Sequence, residues 1–317
     1  MRNNEFTNSN ISDEIALLLC CSRTRLDTKT IKSIHSIVQR KIDWDYIIKI
    51  AITHRVFPLL YRSLKITCPP SVPIHHLDRL QLYYLNNAGD NLARTTRLLE
   101  LILLFEDHHI ITIPFKGPVL AESAYGDLAL RQFTDLDILV YRDQVFDAYQ
   151  LLLFQGYRTD VSFNAKQIKE YSKTEYSLAA TDEDSGMIVE LHWEITGRYT
   201  GCSFGLDHFG NRLEKTTILG RQIHQFPAED LLVYLCIHGA KDGWNILDRV
   251  CCVAELIRSY TDMDWKRVEQ LSDKIHCRRM LHLGLFLAHH LLETELPKRV
   301  FKKSNPTPSL KTVYFDY

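Results

Sequence analysis

A chain of 317 residues with a formal net charge of -1 and 45% hydrophobic residues has a globular composition, long enough for two domains or one elaborated one. The near-neutral charge argues against a broad nucleic-acid-binding surface, which shows as a basic excess. No apolar run approaches the roughly 18 residues needed to cross a bilayer, and the opening MRNNEFTNSN carries no apolar signal core, so the chain reads as cytoplasmic. None of the eight cysteines falls in a CxxC pair, which leaves a zinc ribbon or thioredoxin-like site without support. Most lie in apolar, helix-like stretches and read as small buried hydrophobes in a reducing compartment.

Residues 1–95 read as an N-terminal helical region. In WDYIIKIAITHRVFPLLYRSL (44–64), Ile48, Ala51, Ile52, Val56 and Leu59 recur at helical spacing, and Pro58 marks a kink or break. CPPSVP (68–73) reads as a loop, and the stretch from Leu77 to His108 as one long helix with an interruption expected near Gly89. The pattern then changes, and residues 96–225 read as an α/β core. IITIPF (110–115) is β-branched and aromatic, hence a strand; Pro118 suits the first turn of a short helix ending near Gly126. FTDLDILV (133–140) is the next strand. DQVFDAYQLLLFQG follows as a helix, with Asp143 as N-cap and Gly156 as its stop. TEYSLAAT and GMIVELHWEI read as strands joined by a hairpin at DEDSG. Residues 226–300 read as a C-terminal helical region of four helices, and 301–317 as a loosely ordered tail. The class is α+β: a small mixed sheet flanked by helical regions.

Two acids interrupt the second strand. Phe133, Asp135, Asp137 and Leu139 share one face, while Leu136, Ile138 and Val140 form an apolar opposite face that belongs against the core. Carboxylates about 7 Å apart repel unless a cation intervenes. Magnesium takes carboxylate oxygens and keeps positions for substrate phosphates, so the pair could form half of a clamp for phosphoryl chemistry. Taken alone, two acids in a strand are more often a solvated edge. Their neighbourhood shifts that balance. Lys116 and Gly117 form a strand-to-helix turn that offers backbone N–H groups and a charge to phosphate. Arg131 is placed to pair with phosphate or with an aspartate, or in a surface ion pair. In MIVELHWEI, Glu190 breaks an apolar strand as the aspartates do, and His192 shares its face, placed to touch substrate or to hold Glu190. Further on, His238, Lys241, Asn245 and Asp248 are spaced as one polar helical stripe, which a break at Gly243 would spoil.

The segment KGPVLAESAYGDLALRQFTDLDILV resembles the nucleotidyltransferase superfamily of DNA polymerase β-like fold. There a glycine turn and helix precede a strand with two aspartates, and a later strand supplies a third acid. The ordered set HRVFPLLY, FKG, DLDILV, ELHW and LLVYLCIHGAKDGWNILDRV is similar over nearly the whole chain to the uncharacterised bacterial nucleotidyltransferase family. One departure stands out: most superfamily members carry Gly-Gly or Gly-Ser where this chain has Lys116-Gly117-Pro118. The resemblance implies a metal-dependent enzyme that moves a nucleoside monophosphate from a nucleoside triphosphate to a small-molecule or protein acceptor. It implies two Mg2+ or Mn2+ ions on Asp135, Asp137 and Glu190, with Lys116, Gly117 and Arg131 on the nucleotide. His192, His238, Lys241 and Asp248 would then face the acceptor. The alternative is a nucleotide-sensing or scaffolding module that keeps the fold without turnover.

Overall fold

The computed structural model describes residues 11–67 and 71–304. Four short helices come first: α1 (Asp13–Cys21), α2 (Thr28–Val38), α3 (Trp44–Thr53) and α4 (Phe57–Thr67). Side chains of Ser12, Asp27 and Asp43 cap the first three by accepting amide hydrogen bonds. The expected break falls between α3 and α4, where Arg55 has φ 57 and Pro58 sits in the first turn of α4. Residues 68–70 of the expected loop lie outside the described residues.

Helix α5 (Ile74–Asp107) runs unbroken for 34 residues, so the interruption expected at Gly89 does not occur. One helical glycine costs only about 1 kcal/mol. Here two anchors flank it: Asn87 donates to the Ala129 carbonyl at 3.0 Å, and Asn91 to those of Leu128 and Arg131, both at 2.7 Å. The boundary expected at residue 95 thus falls inside one continuous helix.

The core continues with β1 (Thr112–Pro114), α6 (Gly117–Leu120), β2 (Asp135–Val140), α7 (Val145–Phe154), β3 (Tyr157–Arg158), α8 (Ala165–Thr174), β4 (Ser177–Asp182) and β5 (Ile188–His192). Between α6 and β2 lie a π-type turn (Ala121–Tyr125), closed by Gly126, and a short 3-10 turn (Leu128–Leu130). Asp143 does not cap α7; it sits in a 3-10 turn, Arg142–Gln144, that leads into the helix. A hairpin, β6 (Glu214–Ile218) and β7 (Arg221–Gln225), precedes α9 (Ala228–Lys241), α10 (Leu247–Ser259), α11 (Trp265–Lys274), α12 (Arg278–Leu292) and α13 (Lys298–Ser304). Residues 301–304 of the expected tail close α13, and its remainder lies outside the described residues.

The main sheet has the order β1-β2-β5-β4-β3. Strands β2 and β5 are parallel, and the other pairs antiparallel. Alternation along β2 sorts its side chains into two cores. Leu136, Ile138 and Val140 pack with Val189, Leu191 and Trp193 against Leu101 and Phe105 of α5 and Tyr149 and Leu152 of α7. Leu139 turns the other way, into a core built jointly by α1–α4 and α9–α12, with Leu17, Ile47, Leu60, Leu232, Val253 and Leu285 among its members. The helices from the two ends of the chain therefore form one layer over the acid-bearing face. Polar ties join them: Thr24 donates its N–H and hydroxyl to buried Glu255, at 3.3 and 2.5 Å. At the start of α10, the Leu247 N–H donates to His54 Nδ1 at 3.2 Å. Six of the described cysteines are buried, and all seven are free. Among the described residues no helix is long and apolar enough to cross a membrane.

Candidate active site

Strand register assembles the site. Parallel pairing sets Asp135 opposite Ile188, Asp137 opposite Glu190, and Leu139 opposite His192. Adjacent strands lie about 4.8 Å apart, so Asp137 and Glu190 stand side by side on one face. Asp135 begins the strand half-buried, between exposed Thr134 and, across the ladder, exposed Ile188; it marks the rim. Asp137 is 3% exposed and forms the floor.

A lysine and a histidine converge on Asp137. Lys116 Nζ lies 2.5 Å from its Oδ1, and His192 Nε2 lies 3.1 Å from the same oxygen. His192 Nε2 is also 3.1 Å from Glu190 Oε2, so one ring nitrogen meets both carboxylates. Burial would raise the Asp137 pKa, but the Lys116 ammonium and the His192 hydrogen bond outweigh it and hold the carboxyl well below the usual range. At Glu190 the His192 hydrogen bond outweighs burial, and the pKa falls. Asp135 goes the other way: burial, then the Asp137 charge, raises its pKa. Burial works against the charged His192, yet its bonds to Asp137 and Glu190 raise its pKa.

The expected ligand set was Asp135, Asp137 and Glu190. Among the described residues, the group whose donor atoms lie within 4.8 Å of one another is Asp137, Glu190 and His192, with Asp135 one pleat away. Asp137 Oδ2 and His192 Nδ1 are buried without a hydrogen-bond partner among the described residues. An orphaned carboxylate oxygen beside a second carboxylate suits a hard divalent cation.

Lys116 and Gly117 lie where the sequence placed them. Gly117 has φ 50, and a Cβ there would sit 3.4 Å from the Asp135 carbonyl oxygen. A side chain at that position would be strained by the positive φ, while its Cβ would meet the start of β2 in ordinary contact. Lys116 Nζ lies 5.7 Å from the Phe115 ring centroid and 6.0 Å from that of Tyr234. Sequence reasoning missed Tyr234; its signal was its position one turn before His238 on α9.

Other expected site residues go elsewhere. Arg131 is 5% exposed, so it is no surface pair. It donates to Cys252 Sγ at 3.3 Å and lies 3.7 Å from Asp248, joining the approach to β2 to α10. Asp248 is buried, 3.7 Å from Arg131 and 3.6 Å from Arg249. Its expected stripe with His238 and Lys241 is broken, because α9 ends at Lys241 and α10 begins at Leu247. The His238 ring lies 5.7 Å from that of Tyr234 and 3.7 Å from Asp242; burial, and next the Lys116 charge, hold its pKa well below the usual histidine value. Lys241 donates to the Tyr176 hydroxyl at 3.0 Å, and the Tyr176 ring lies 6.0 Å from that of His192. A cavity of about 530 Å3 lined by Tyr141, Arg142, Phe146, Ile168 and Lys169, among others, shares no lining residue with the acid group.

Comparison with solved structures finds the antibiotic-resistance factor ANT(2'')-Ia at 12% identity and a TM-score of 0.42, covering 63% of this chain and 98% of that one. The lincomycin-bound lincosamide antibiotic adenylyltransferase LnuA is similar at 16% identity and a TM-score of 0.33, covering 48% of this chain and 94% of that one. No match is found among curated proteins. The model of the family described as uncharacterised nucleotidyltransferase matches residues 40–293, a span that takes in α4, the whole sheet and α9–α12. The chain belongs to that nucleotidyltransferase family.

Proposed function

We propose that the protein transfers a nucleoside monophosphate from a nucleoside triphosphate to an acceptor hydroxyl, on a small molecule or a protein side chain. One observation carries this reading: Asp137 stands in register with Glu190 on a buried face, with one carboxylate oxygen left without a partner among the described residues. Asp137, Glu190 and His192, with Asp135 at the rim, would hold Mg2+ or Mn2+, which when bound polarises the phosphates and acidifies the attacking hydroxyl. The acceptor oxygen bonds to the α-phosphorus as the bond to the bridging oxygen breaks, and pyrophosphate leaves. Glu190 stays ionised at neutral pH and is placed to take the hydroxyl proton. Lys116 and the Gly117 amide would neutralise the charge that gathers on the departing phosphates. A cytoplasmic setting, with nucleotide at hand, fits the composition.

A second reading is a nucleotide-sensing module without turnover. The 2.5 Å pair between Lys116 and Asp137 favours it, since that pair already neutralises the floor carboxylate. Two ATP samples separate the readings, one labelled at the α and one at the γ phosphate, each given with Mg2+ and cell extract as the source of acceptor. Transfer of the α label, with pyrophosphate released, is the expected result. Transfer of γ label alone would indicate a kinase. Tight nucleotide binding with neither label moved would leave the sensing module.

A further inference from the structure

We infer that Lys116 stands in for the metal ion at Asp137, so that metal alone binds poorly and metal with nucleotide binds well. This rests on reading the acid group as the metal–nucleotide site. The Lys116 side chain is 12% exposed and that of Asp137 is 1% exposed, so the pair is held largely out of solvent. Its Nζ occupies Oδ1, the oxygen that also meets His192, while Oδ2 has no partner among the described residues. A divalent ion seeking Asp137 therefore meets a fixed positive charge on the same carboxylate, in a buried setting where salt screens little. A triphosphate changes that balance. It offers the ammonium a new anionic partner, and lysine is a compact charge on a flexible four-carbon stem, able to change partners without moving the backbone. The Phe115 and Tyr234 rings, with centroids 5.7 and 6.0 Å from the ammonium, stand beside it on the protein side. Nucleotide binding would draw Lys116 off Asp137 and open Oδ1, and by linkage the metal would favour nucleotide equally.

The test is Mn2+ binding without nucleotide, measured by titration calorimetry or by the electron paramagnetic resonance signal of free Mn2+, on wild type, Lys116→Gln, Lys116→Arg and Asp137→Asn. Removing the charge in Lys116→Gln should tighten Mn2+ binding roughly tenfold or more, within the 5–150-fold range usual for coupled sites. Lys116→Arg keeps the charge and should bind Mn2+ as weakly as wild type. Equal affinities of Lys116→Gln and wild type, with Asp137→Asn weaker than both, would overturn the inference while leaving the acid-site reading standing. Mn2+ binding that ignores Asp137→Asn would sink both. Should Lys116→Gln not fold, the ammonium resonance of Lys116 in 15N-lysine-labelled wild type carries the same test. It should be unmoved by Mg2+ alone and shifted by Mg2+ with a non-hydrolysable ATP analogue. A shift on adding Mg2+ alone would overturn the inference.

Discussion

Asp137→Asn is expected to lower nucleotidyl transfer by about three orders of magnitude or more while the chain still folds. A metal clamp on a phosphoryl group contributes several kcal/mol to the transition state, and each 1.36 kcal/mol is tenfold in rate. About 4 kcal/mol lost gives the expected drop. The same change disturbs stability, because Asp137 is the buried counter-charge of Lys116. Removing one partner of a buried pair costs about 3–5 kcal/mol. Asparagine keeps one oxygen for Lys116 and His192, so the cost should fall at the lower end of that range, about 3 kcal/mol. Domains are stable by about 5–15 kcal/mol, so the fold survives. The check pairs α-label transfer with a far-ultraviolet circular dichroism melt. Full transfer by the variant would remove Asp137 from the site.

Asp230→Ala, outside the acid group, is expected to lower stability by about 3 kcal/mol. The Asp230 carboxylate is 0% exposed. It accepts from Arg212 at 2.9 Å and from Arg267 at 3.1 Å, and lies 2.9 Å from His208 Nε2. Those contacts join α9 to α11 and to the turns before β6. Both arginines are about a third exposed, which lets them turn to water once unpaired and keeps the cost at the lower end of the range. Because α9 also carries Tyr234 and His238, activity should fall with stability. Urea unfolding should show a lower midpoint at unchanged slope. A midpoint equal to wild type would show that the two arginines are satisfied without Asp230.

Much of the site was legible because strand periodicity is local information. Residues 133–140 announce which side of β2 is core, and Leu136, Ile138 and Val140 are buried as that pattern requires. Glu190 stood out by the same contrast. What could not be read was register across the 55-position separation of Asp137 and His192, which sets the imidazole on the aspartate. The pairing of Arg131 with Asp248 is equally long-range, and each residue alone looked available for ligands. Two elements left quieter signals. In α8, Ile168 and Ser172 are the buried residues, and the helix is marked mainly by a capping box between Asn164 and Gln167. The β6–β7 hairpin turns on Leu219-Gly220, both at positive φ, and the leucine hides a turn that Asn-Gly would have announced.

The central claim is that Asp137, Glu190 and His192 are a metal site serving a nucleotide. A crystal structure with Mn2+ and a non-hydrolysable ATP analogue, read by the anomalous signal of manganese, tests it most directly. The account predicts an anomalous peak bonded to Asp137 and Glu190, with the α-phosphate beside it and Lys116 moved onto the phosphates. Manganese bound elsewhere, or a nucleotide seated with Lys116 still on Asp137, would contradict it.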